Sequence, residues 1–123
     1  MDKISVQTVQ AFSKERINDL LCCAFEGGST YWCEKATINR APTEPYEWLH
    51  EVPMAEGSLI LSVADGEGAP QPADLNSAAC ARGLQLMAED WSRHFQAFRD
   101  ENEDAETGDV FLQLCVFGDV VFS

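Results

Sequence analysis

The chain has 123 residues, with 21 Asp and Glu against 8 Lys and Arg and a formal net charge of -13. Such a length allows one hydrophobic core, and 46% hydrophobic with 10% aromatic residues excludes a disordered chain. No apolar run reaches the roughly 18 residues of a membrane span, and the start MDKISVQTVQ lacks the basic and then apolar pattern of a secretion signal, so the sequence predicts one cytoplasmic domain over residues 1–123.

Ile4-Ser5-Val6 reads as a short extended start. Ser13 is placed to cap a helix beginning at Lys14, with Glu15 in its first turn, where a carboxylate faces the positive end of the helix dipole. Ile17, Leu20, Leu21 and Ala24 then fall on one buried face. Gly27-Gly28 ends that helix in the left-handed cap conformation that glycine tolerates, and Tyr31 and Trp32 are expected to fold back against it. Glu34–Ile38 reads as a strand.

Residues 40–57 contain Pro42, Pro45, Pro53 and Gly57 and read as a loop. Ser58–Val63 is the clearest strand, apolar and β-branched, with Gly57 before it and Asp65-Gly66 after it. Gly66–Pro72 reads as a flexible connection. From a cap at Asp74, one long helix is predicted in which Leu84, Met87, Ala88, Trp91, Phe95 and Phe98 form a continuous apolar stripe. That stripe marks it as the central packing element, weakened slightly at Gly83. The segment 100–109 holds six acids and no base. Acids before Val110–Phe117 and a glycine after it predict a buried helix over 105–117, with Val120-Val121-Phe122 as an extended tail. The fold class these elements define is α+β: two to three helices packed on a small β-sheet.

Charge is unevenly placed. Residues 1–40 hold five acids and five bases, so the entire net charge falls in residues 41–123, where 16 acids face only Arg82, Arg93 and Arg99. A field of that sign repels nucleic acid and anionic lipid and attracts basic proteins over a Debye length of about 8 Å. Five cysteines, at 22, 23, 33, 80 and 115, form no paired metal spacing with His50 or His94, so free buried thiols, no metal and no cofactor are expected.

Catalytic patterns are missing from the residues. Glu26-Gly27-Gly28 is followed by no lysine of a phosphate loop, no serine lies in a G-x-S-x-G elbow, and the glycine after Asp100 falls at Gly108, too late for a calcium loop. The notable constellation is an acid cluster: Glu89, Asp90, Asp100, Glu101, Glu103, Asp104, Glu106 and Asp109 against Arg93 and Arg99. Carboxylates three or four apart on a helix lie about 5–6 Å from each other, a spacing of the order that a phosphate-binding groove expects. Two further segments, Leu21–Trp32 and Asp109–Val121, together with Glu51-Val52-Pro53 and Ala81–Ala88, resemble a family of small, functionally uncharacterised proteins encoded by phages and prophages.

That resemblance implies a phage accessory protein, an inhibitor of host defence, or a small enzyme. Combined with the charge, the expected function is a non-enzymatic, anti-CRISPR-like binding protein. Its acid cluster would occupy the basic nucleic-acid-binding surface of a host protein or nucleoprotein defence complex in the bacterial cytoplasm, with no direct nucleic-acid or membrane binding. The alternative is a small phage enzyme or metabolite-binding protein built on an aromatic pocket of Tyr31, Trp32, Tyr46 and Trp48. A self-associating accessory protein, a homo-oligomer, is the third reading.

Overall fold

A computed structural model describes residues 3–6, 8–64 and 70–123, and the first part of the expected 66–72 connection lies outside them. The first helix, α1 (Lys14–Cys23), starts where the sequence places it, because the Ser13 side chain accepts a hydrogen bond from the Arg16 backbone N–H at 3.2 Å. It runs into one wider π-type turn, Ala24–Gly28. Neither glycine there adopts the expected left-handed cap: Gly27 stands at φ 169° and ψ -38°, and Gly118 is the only glycine in the left-handed region among the described residues. The reason for Gly28 is proximity instead: a Cβ on it would stand 2.9 Å from the Ala105 carbonyl carbon.

Two strands follow, β1 (Cys33–Arg40) and β2 (Ser58–Val63), paired antiparallel with Ala36 opposite Leu61 and Ile38 opposite Leu59. Leu59 and Leu61 point into the core and Ile60 out of it, the period-two alternation of a half-covered sheet. Between the strands the proline-rich segment forms two short 3-10 turns, Leu49–Glu51 and Pro53–Ala55. After β2 the chain returns to the sheet at Leu75, whose backbone exchanges hydrogen bonds with Leu59 at 2.9 and 3.0 Å.

The long helix expected from Asp74 is two helices, α2 (Ser77–Asp90) and α3 (Ser92–Arg99), so four α-helices stand among the described residues. Asn76, not Asp74, supplies the cap, accepting from the Ala79 N–H at 2.8 Å. The break lies at Trp91, with φ -130° and ψ 53°. Glu89 and Asp90 crowd the negative end of α2, where acids are unfavourable, and the change of direction brings Phe95 and Phe98 onto Phe12, at ring separations of 5.9 and 4.9 Å. Trp91 itself is only half-buried.

The last helix, α4 (Ala105–Phe117), has the expected bounds. Asp104 accepts from the Thr107 N–H at 2.9 Å at one end and Gly118, at φ 75°, turns the chain out at the other. Its rank in the core was not expected. All residues from Thr107 to Val116 are buried, and α1, α2, α3 and the π-type turn pack around them. The centre of the molecule is α4 rather than the amphipathic stripe of α2 and α3. Gly83 and Gly108 permit this closeness, since a Cβ would lie 2.9 Å from the Cys115 backbone nitrogen at the first and 2.6 Å from that of Ala24 at the second. No helix among the described residues is long and apolar enough to cross a membrane.

Candidate functional site

The eight acids of the cluster divide by what they touch. Glu89 and Asp90 end α2, Asp100 and Glu101 follow α3, and Glu106 opens α4; all five are exposed. Gln85 donates to Glu89 at 3.1 Å and Gln96 to Asp100 at 3.0 Å, so both carboxylates are steered along their helices. Glu101 takes the left-handed conformation, φ 58°, as the chain turns toward α4. Glu106 lies 3.9 Å from Arg93 and 3.8 Å from the His94 Nε2.

The other three carboxylates hold the fold. Glu103 accepts both guanidinium nitrogens of Arg16, at 2.7 and 2.8 Å, and that cation holds its carboxyl below the usual glutamate range. Asp104 is occupied in capping α4, and the Thr107 N–H it accepts lowers its pKa in the same way. Asp109 is buried at 8% exposure. Five of the eight carboxylates therefore stand on the surface without holding the fold, and Asp104, exposed beside them, is engaged as the cap of α4.

The four aromatics proposed as one pocket are placed in different surroundings. Trp32 is 1% exposed and stacks on Phe122 with ring centroids 5.5 Å apart. Trp48, at 59% exposure, lines a groove with Phe25, Cys33 and Leu49. Tyr31 lines another, with Gly27 and Gly28 of the π-type turn, and Tyr46 is exposed elsewhere. Trp32 and Tyr31 turn toward α4 and not, as expected, toward α1.

What they turn toward is Asp109. Its Oδ1 accepts from the Ser29 hydroxyl at 2.8 Å, the Trp32 indole N–H at 2.7 Å and the Gln113 amide at 3.2 Å. Its Oδ2 accepts from the Tyr31 hydroxyl at 2.6 Å. Burial, and secondarily this bond, push the Tyr31 phenol up to about 12. Gln113, one helical turn further on, accepts from the backbone N–H groups of Val121 and Phe122, both at 2.8 Å, and so holds the tail against α4. The result is a groove of about 620 Å³ lined by Tyr31, Trp91 and Phe122 together with Asp109 and Glu106. Ser29, Trp91, Gln113 and Phe122 are not among the site residues expected from the sequence. Two polar residues spaced i, i+4 inside the otherwise apolar run of α4 were the available signal, because that spacing puts both on one buried face.

The five thiols are free. Burial raises the pKa values of Cys22, Cys23, Cys33 and Cys115, most strongly at Cys115, which sits beside Cys80 in the core. Among the described residues no three of His, Cys, Asp and Glu converge as metal ligands. No protein family, curated protein or solved structure matches this chain.

Proposed function

We propose that the protein is a non-enzymatic binding protein that docks its acidic face on a basic, nucleic-acid-binding surface of another protein. Glu89, Asp90, Asp100, Glu101 and Glu106 are the contact carboxylates. A CRISPR effector or similar host defence complex is the target class that the phage-protein resemblance suggests. One observation carries the reading: these exposed carboxylates lie at or just beyond the ends of α2, α3 and α4, with only Arg93 and Arg99 among them. Basic grooves gain affinity by neutralising phosphates, and fixed carboxylates compete for the same Lys and Arg side chains while raising the association rate.

The test is capture of partners from bacterial lysate by the parent and by a fourfold variant, Glu89→Gln, Asp90→Asn, Asp100→Asn and Glu101→Gln, with elution by duplex DNA and by salt. Glu103 and Asp104 are left intact because they hold the fold. The parent is expected to retain a DNA-binding protein that duplex DNA and salt release, and the variant to lose it. A partner held equally by both proteins and indifferent to DNA and salt rejects the reading, as does capture of no basic protein. The metabolite-binding alternative draws support only from the groove beside Asp109, since Trp32 is sealed in the core.

A further inference from the structure

We propose that the groove beside Asp109 binds an organic cation, a guanidinium or alkylammonium group. This rests on the groove alone and not on the docking of the acidic face. Asp109 is 92% buried, by its 8% exposure, yet its four donors, Ser29, Tyr31, Trp32 and Gln113, are all neutral. No ion pair among the described residues includes it. A buried charge held only by neutral donors still gains from a cation, and Oδ2, with a single donor, has room to accept another.

The walls select the kind of cation. Tyr31, Trp91 and Phe122 line the groove, and aromatic faces attract guanidinium and ammonium groups that have shed part of their water. Glu106 adds a second negative group, its side chain 68% exposed. A volume of about 620 Å³ fits an amine or arginine-like group. A bare metal ion would need several oxygen ligands converging at short range, which the aromatic walls do not supply.

The test is a titration followed by NMR on the backbone amides of Gly28 and Val110, which line the groove. The probes are N-acetyl-arginine methylamide and spermidine, with N-acetyl-citrulline methylamide as the neutral isostere, all at constant ionic strength. Saturable shifts are expected with the cations and none with citrulline. Glu106→Gln and Trp91→Leu should each weaken binding by about fivefold, the weight of one charge or cation–π contact. The fourfold variant of the acidic face should leave affinity within about twofold, because none of its four carboxylates lines the groove and salt screens exposed charges. Tighter binding of the arginine derivative assigns the cation to a protein side chain, and tighter binding of spermidine assigns it to a free amine. Shifts that fail to saturate, that citrulline reproduces, or that vanish with the fourfold variant instead of Glu106→Gln overturn the proposal.

Discussion

Arg16 holds Glu103 through both ends of its guanidinium, with nitrogen–oxygen distances of 2.7 and 2.8 Å across 87 residues of chain. The same group donates to the Phe98 carbonyl at 2.6 Å and lies 4.6 Å from the centre of the Phe98 ring. One side chain of α1 thus fastens the end of α3 and the turn into α4, and a carboxylate that reads as surface charge becomes a structural bond.

Glu103→Gln should therefore destabilise the protein by about 2–3 kcal/mol, the scale of hydrogen bonds to a charged group, whereas Asp100→Asn should change little. The Glu103 carboxyl lies below its ordinary 4.5 in the folded state, so its contribution is present above that value and fades as pH falls below it. Urea midpoints for the parent and Glu103→Gln measured from pH 7 down to pH 3 should converge at the acid end.

Tyr31 should show the opposite window. Its phenol is raised from 10.0 to about 12, so its stabilising contribution is intact below pH 10 and is lost as pH rises through the folded value. An absorbance titration of phenolate should contain a late phase near pH 12 that Tyr31→Phe removes.

Gly83→Ala should destabilise despite alanine's higher helix propensity. The propensity gain is about 1 kcal/mol, but the new Cβ would meet the Cys115 backbone nitrogen at 2.9 Å, and backbone in a packed core cannot step aside. Overpacking of this kind costs about 1–3 kcal/mol, readable as a lower denaturant midpoint with an unchanged slope.

Truncations along the aromatic stripe should separate Phe98 from Trp91. Phe98 is fully buried, and Phe98→Ala should cost about 3–5 kcal/mol. Trp91, half-buried at the helix break, should cost clearly less. Equal losses in thermal melts would mean that Trp91 belongs to the core.

Local signals in the sequence were legible because their physics is local. Ser13 before Lys14 and Asp104 with Gly118 around α4 are caps that act within three or four residues, and Ser58–Val63 is a strand by composition. The break at Trp91 was hidden because an apolar period survives a one-residue change of direction. The central place of α4 is hidden for another reason: a helix apolar on nearly every side shows no preferred face, whereas the stripe of α2 and α3 does. The structural engagement of Glu103, Asp104 and Asp109 is hidden because charge is visible in a sequence and partners are not. Arg16 stands 87 residues from Glu103, and Ser29, Tyr31 and Trp32 stand 77 to 80 residues from Asp109.

The burial of Thr107–Val116 on all sides also orders events during synthesis. Every helix packed on α4 precedes it in the chain and only the short tail follows it, so α1, α2 and α3 emerge from the ribosome with no centre to close upon. Domains generally fold as units, and here the unit lacks its middle until the final helix clears the exit tunnel. Nascent chains stalled before residue 105 should remain open to protease along their whole length, and chains stalled beyond the point where α4 is free should become resistant in one step.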